Sequence, residues 1–300
     1  MKILLLGCGG QVGWELQRSL APLGDVLALQ RQVQEQAPGL CGDISDLSAL
    51  AQTIRTVRPD VIVNAAAHTA VDKAESEPDL ALRLNAEAPE VMAQEAAHLG
   101  ALLVHYSTDY VFDGLGSAAR QEGDATGPLS VYGHTKLDGE QRIAATACRH
   151  LIFRTSWVYA ARGGNFAKTM LCLAQEREQL SVINDQWGAP TGADLIADVT
   201  AHAVRHVWAQ GGDAGLYHLV ADGETTWHAY ASHVIERARV LRPDMAWKVQ
   251  EIAAVPTAAF PTPAARPLNS RLDTQKLQTR LQLHLPAWQH GVDRMLQEIL

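Results

Sequence analysis

The segment VYGHTKLDGE sets Tyr132 and Lys136 four residues apart. On a helix, positions i and i+4 share one face, so a phenol and an ammonium would stand side by side there. A neighbouring positive charge favours the phenolate and lowers a phenol's pKa from about 10 towards neutrality. A tyrosine tuned in this way can exchange a proton with a substrate oxygen at physiological pH. Two hydroxyls, Ser107 and Thr108, lie upstream at the end of the apolar run LLVHYSTDYVF.

These groups need a scaffold, and the first residues supply its pattern. The apolar run Lys2 to Leu6 is followed by GCGGQVG and then by a helical pattern through Trp14, Leu16 and Leu20. A strand without polar alternation is one covered on both faces, as in a parallel sheet. Gly7, Gly10 and Gly13 form G-x-x-G-x-x-G. The early glycines permit a tight turn and close approach of a diphosphate, and the last permits helix against strand. The helix start at Gln11 and Val12 would offer free N–H groups to that diphosphate. The positive nicotinamide of an oxidised dinucleotide would add to the charge of Lys136 beside Tyr132.

The probable second strand, DVLALQ, ends at Gln30-Arg31, where dinucleotide-binding folds carry an acid for the ribose 2′-hydroxyl. A missing carboxylate with a guanidinium beside the gap favours a 2′-phosphate, hence NADPH, with NADH as the alternative. In GDISD, Asp43 is placed to accept from an adenine amino group, with Ile44 beside it. In NAAAHT, Ala65, Ala66 and Ala67 are small enough for a dinucleotide to lie against the backbone. Strands at 61–67 and 102–112 follow helices at 46–58 and 87–99. This alternation predicts an α/β fold with a doubly wound parallel sheet, its ligands beyond the carboxyl ends of the strands.

The glycine turn, the Ser-Thr pair and Y-x-x-x-K together resemble the short-chain dehydrogenase/reductase superfamily in its extended, sugar-nucleotide branch. More narrowly, YSTDYVFDG, VYGHTKLDGE, FRTSWVYA, NFAKTM, INDQWGAPTGADLIAD, GLYHLVA and RPLNSRLDTQKL resemble the dTDP-4-dehydrorhamnose reductase family over nearly the whole chain. The resemblance implies a Rossmann domain at 1–155, to which the chain returns at about 180–210, and an interleaved, smaller α/β substrate-binding lobe at 156–300. It implies Tyr132 as proton donor, Lys136 as holder of the nicotinamide ribose, and Thr108 as hydrogen-bond partner of the sugar C4 oxygen. Asp109 and Trp157 resemble substrate-contacting positions. The implied reaction reduces the C4 keto group of a dTDP-4-dehydro sugar, for surface polysaccharide such as O antigen. A homodimer is expected, with Mg²⁺ at its interface held by Glu15, Asp194 and Glu298, although Asp194 is one methylene shorter than the family's Glu.

Two other classes compete with this reading. A non-catalytic dinucleotide-binding subunit, like the β subunit of methionine adenosyltransferase, has no need of intact Tyr132, Lys136 and Thr108. Related dehydratases read Thr-Asp-Glu where this chain reads Thr108-Asp109-Tyr110, and epimerases retain their own NAD. Elsewhere, Arg266 in the Pro-rich stretch 254–272 is a candidate contact for a diphosphate or sugar. His202 and His206 share a helix face without the Glu of H-E-x-x-H, and no zinc site is expected. The net charge of −8, without clustered cations, argues against nucleic acid. The four scattered cysteines read as reduced thiols of a cytoplasmic protein. The run in MKILLLG is too short for a signal h-region, and no run of about 18 apolar residues suggests a membrane span.

Overall fold

The computed structural model describes residues 1–32 and 37–300. Strand β1 (Lys2–Leu6) has Ile3, Leu4, Leu5 and Leu6 fully buried, as a strand sandwiched between two helical layers requires. It lies in a six-stranded sheet with β2 (Asp25–Leu29), β3 (Val61–Asn64), β4 (Leu102–Thr108), β5 (Arg149–Thr155) and β6 (Gly215–His218). The spatial order is β6-β5-β4-β3-β1-β2, with every neighbouring pair parallel.

Successive side chains of a strand point to opposite faces, and β1 divides its leucines accordingly. Ile3 and Leu5 pack with Leu16 of the helix Gln11–Leu20 and with Ile196 and Val204 of the helix Ala193–Gln210. Leu4 and Leu6 pack on the other face with Leu50 and Ile54 of Leu47–Val57 and Met92 of Ala88–Leu99. Helices therefore cover both sides, and the expected doubly wound sheet is observed. Strand order reverses between β1 and β3, which places the ligand crevice of such a sheet beyond their carboxyl ends.

Two strands end earlier than their apolar runs suggest, and side-chain hydrogen bonds explain both. Asn64 Oδ1 accepts from the Ala66 N–H at 3.1 Å, turning Ala65–Ala67 out of the sheet. Thr108 Oγ1 accepts from the Tyr110 N–H at 3.2 Å and opens the 3₁₀ turn Asp109–Val111. Trp14, taken from the pattern as part of the helix's apolar face, is instead 48% exposed.

Away from the large sheet, the helices Phe166–Glu176, Trp227–Leu241 and Trp288–Ile299 share a core of their own. The strands Gln179–Ile183 and Glu251–Val255 pair in parallel with each other. QLSVI buries only alternate residues, which suits a half-exposed pair and not the centre of a large sheet. Within the stretch 180–210, the helix Ala193–Gln210 packs in the same core as Ile3. The chain returns again through the helix Gln275–Leu281, whose Leu277 and Leu281 enter the same core as Ile3. The Pro-rich stretch opens as strand through Val255. It then straps back across the large domain, with Asn269 Nδ2 donating to the Ala118 carbonyl at 2.8 Å.

Gly13 marks the closest approach of helix to strand. A Cβ there would stand 2.1 Å from the Gly7 carbonyl oxygen, and Gly7 itself has φ +84°. Gly13→Ala is expected to destabilise the fold by about 1–3 kcal/mol, the usual scale of overpacking. A urea unfolding midpoint equal to that of the unchanged protein would refute this packing role.

Candidate active site

A cleft of about 1260 Å³ opens at the switch point. Gly7, Gly10, Gln11 and Val12 line it where the first helix begins, and Ala65, Ala66 and Ala67 line it beyond β3. Gln30, Arg31, Asp43 and Ile44 contribute from the β2 side, and Tyr132 and Lys136 from beside β4. Gly13 is not in the lining, because its role is the packing just described. The sequence reading missed Gly9, Asn64, Thr155, Arg162, Gly163 and Gly164, which also line the cleft. The Gly-Gly pair after FRTSWVYA was the available signal. Gln11 Nε2 donates to the carbonyls of Arg162 at 3.2 Å and Gly164 at 3.0 Å, pinning that loop to the start of the helix.

The cleft suits a dinucleotide. The helix that opens at Gly10 has no side-chain cap and no acidic residue in its first turn, so its N–H groups are available to an anion. On the β2 side, Arg31 Nε lies 3.3 Å from Asp43 Oδ2, and the Arg31 side chain is 82% exposed. Burial acts to raise the Asp43 carboxyl. Hydrogen bonds from Ser45 and the Arg31 charge outweigh it and hold the group below the usual carboxylate range. Asp43 Oδ1 is engaged by the Ser45 N–H and hydroxyl.

Ser130 caps the helix Val131–Ala144 by accepting from the Gly133 N–H at 3.2 Å. At Gly133 a Cβ would meet the Tyr110 carbonyl oxygen at 2.3 Å. That contact sets the helix against the turn after β4 and Tyr132 beside Thr108. Tyr132 also meets the Tyr110 ring edge-on, with centroids 5.6 Å apart. Lys136 is buried and donates to the Tyr106 carbonyl at 2.6 Å, with His105 Nε2 at 3.2 Å. Further along the helix, Glu140 forms a buried ion pair with Arg154 of β5, Nη2 to Oε2 at 2.6 Å.

The expected depression of the Tyr132 phenol is not produced by the chain's own charges. Burial pushes it up to about 12, against the hydrogen bond with Thr108. Lys136 moves the other way: burial lowers its amine to about 8, opposed by the Glu140 charge. Desolvation disfavours the charged form of each group, so it moves their pKa values apart, the phenol upward and the amine downward. A phenol held this way keeps its proton until an acceptor oxygen takes it.

Thr108 Oγ1 donates to Asp109 Oδ1 at 3.0 Å. Burial raises the Asp109 carboxyl to about 6, against hydrogen bonds from Ser270 and Thr108. Trp157 adopts φ +48° and stacks on Trp227, centroids 3.7 Å apart. Thr108, Asp109 and Trp157 lie outside the lining of the large cleft. So does Arg266, whose two Nη atoms bind Asp72 at 3.1 and 2.8 Å. Its fork is taken by a carboxylate 194 positions earlier, which removes the free bidentate edge expected for a phosphate.

The magnesium expectation is not supported within the chain. Asp194 accepts from Arg294 at 2.9 Å, Glu15 pairs with Arg18 at 3.4 Å, and Glu298 is exposed. Among the described residues no group of three or more His, Cys, Asp or Glu side chains could hold a metal ion. His202 and His206 turn to separate partners, the Leu281 carbonyl and Asp213. No helix among the described residues is long and apolar enough to cross a membrane.

Tyrosine and lysine one turn apart beside a dinucleotide-sized cleft, on a doubly wound parallel sheet, define an extended short-chain dehydrogenase/reductase. A family model described as the RmlD substrate binding domain matches residues 1–300. The dTDP-4-dehydrorhamnose reductase of Salmonella typhimurium is 59% identical over 299 residues, covering 100% of this chain and 98% of that protein. A solved dTDP-4-dehydrorhamnose reductase from Clostridium acetobutylicum has a TM-score of 0.88 and 33% identity, covering 100% and 99% of the two chains. Another from Bacillus anthracis, solved in complex with NADP, has a TM-score of 0.86 and 32% identity, covering 99% of each. The chain belongs to the dTDP-4-dehydrorhamnose reductase family.

Proposed function

We propose that this chain reduces the C4 keto group of dTDP-4-dehydro-β-L-rhamnose to give dTDP-β-L-rhamnose, using NADPH. The observation that carries the reading is half-buried Tyr132 beside buried Lys136 on the wall of a cleft large enough for a dinucleotide. NADPH, when bound, supplies the hydride that adds to C4. Gly10, Gln11 and Val12 are the residues to hold its diphosphate, and Ala65 to Ala67 leave room for it along β3.

The chain's own part is positioning and one proton. Thr108, by turning its hydroxyl proton from Asp109 Oδ1 to the C4 oxygen, holds that oxygen within reach of Tyr132, and the phenol gives its proton to it as negative charge develops there. A phenol at about 12 is fully protonated at neutral pH, which is the state a proton donor needs. Lys136, fixed by the Tyr106 carbonyl, presents its remaining N–H groups to the nicotinamide ribose. The flat ring of Trp157, braced by Trp227, offers a face to the sugar or base, and Asp109 offers an acceptor to a sugar hydroxyl. No Glu follows Thr108-Asp109 to serve the elimination step of a dehydratase, so reduction is favoured over that chemistry.

Loss of reduced-nicotinamide absorbance on mixing the purified protein with NADPH and dTDP-4-dehydro-β-L-rhamnose tests the reading. No loss, in protein that still binds NADPH, would overturn it. Arg31 beside the ribose end supports the preference for NADPH. Arg31→Ala is expected to raise KM for NADPH roughly tenfold more than KM for NADH, the scale of one exposed charge-assisted contact to phosphate. An equal change for both cofactors would make Arg31 a bystander.

A further inference from the structure

Behind Lys136 lies a polar chain that the reduction as described does not use. Asn64 at the end of β3, His105 inside β4 and Lys136 are each at most 2% exposed. Asn64 Nδ2 stands 3.1 Å from His105 Nδ1, and His105 Nε2 stands 3.2 Å from Lys136 Nζ. The Asn64 amide is oriented by its other end, because Oδ1 accepts from the Ala66 N–H. Its NH₂ therefore donates towards His105 Nδ1.

That orientation constrains everything after it. With Nδ1 accepting, the ring proton of neutral His105 must sit on Nε2, aimed at Lys136. An Nε2–H facing a neutral amine donates to its lone pair, and the amine still donates to the Tyr106 carbonyl. Facing an ammonium, the same Nε2–H sets donor against donor. To relieve this, His105 must move its proton to Nδ1, where it meets the Asn64 NH₂. One charge state of Lys136 satisfies every group and the other does not, and unsatisfied buried polar groups are costly.

We propose that His105, oriented by Asn64, is a positioning residue that holds Lys136 beside Tyr132 and ties the Lys136 charge to its own tautomer. The proposal rests on the reading in which Lys136 serves the reductase. The other groups facing Lys136 are Tyr132 and Glu140 from its own helix, Tyr106 from β4, and Arg154 of β5, which neutralises Glu140. Burial and the Lys136 charge keep His105 well below its ordinary pKa, so the imidazole changes tautomer and not charge.

The test begins with multiple-bond ¹H–¹⁵N NMR of protein labelled at histidine, titrated across the pH range in which Lys136 loses its proton. The expected result is an Nε2–H ring at alkaline pH that moves towards Nδ1–H as Lys136 gains its charge, and no such response in Lys136→Met. A tautomer constant across the range, or one that still responds in Lys136→Met, would overturn the proposal. His105→Gln supplies a second readout, because a rotatable amide can offer its oxygen to the ammonium. It should move the alkaline limb of the reductase pH profile upward by about one unit, and an unmoved limb would count against the coupling. Absence of reductase activity in the unchanged protein would remove the proposed reaction, whereas the NMR result would stand or fall by itself.

Discussion

Tyr132→Phe is expected to lower turnover by about 100-fold or more while leaving NADPH affinity near that of the unchanged protein. The ring keeps its edge-on contact with Tyr110, so packing and the cleft wall survive, and only the proton is lost. General acid catalysis contributes on the order of 10²–10⁴ in rate. The measurement is kcat beside NADPH binding by fluorescence titration. Turnover within a few-fold of normal would remove Tyr132 from the mechanism. Equal loss of binding and turnover would make it a cofactor contact instead.

Lys136→Met is the second large effect, and here function and stability should part. Burial disfavours the ammonium, so a methionine of similar length relieves a desolvation cost while giving up the bond to the Tyr106 carbonyl. The sign follows from the lowered pKa. The unfolded lysine binds its proton more tightly, so the penalty is full below about pH 8 and is relieved as pH rises towards 10.5. We expect kcat/KM to fall roughly 100-fold through lost ribose positioning and the unfolding midpoint at neutral pH to stay level or rise. In the unchanged enzyme, activity should decline as pH climbs through about 8 and Lys136 loses its charge. A variant with normal kcat/KM, or a flat profile between pH 7 and 9, would contradict the role given to Lys136.

Much of this arrangement was legible in the residues themselves. The uninterrupted ILLL of β1 predicted burial on both faces, and both faces are covered. Gly7, Gly10 and Gly13 predicted a close turn and a close helix, and the contacts a Cβ would make at Gly7 and Gly13 bear this out. What the sequence hid was set by partners far along the chain. Arg266 reads locally as a candidate phosphate or sugar contact, and its partner, Asp72, stands 194 positions away. The depression expected for Tyr132 assumed that a neighbouring amine governs the phenol, whereas burial prevails. His105 read as one more member of an apolar strand, and nothing local announced that Asn64 and Lys136 flank its ring. QLSVI drew no reading, although its half-buried alternation carried the sign of a smaller, two-stranded pair.

The central claim is a hydride placed on C4 of the sugar with a proton from Tyr132 on its oxygen. NADPH carrying deuterium at the transferable position of its nicotinamide C4, incubated with the protein and dTDP-4-dehydro-β-L-rhamnose, tests it by NMR of the recovered nucleotide sugar. The expected result is one deuterium at sugar C4 of dTDP-β-L-rhamnose, and far slower appearance of the same label with Tyr132→Phe. Deuterium at another sugar carbon, or unlabelled product formed in deuterated NADPH, would contradict it.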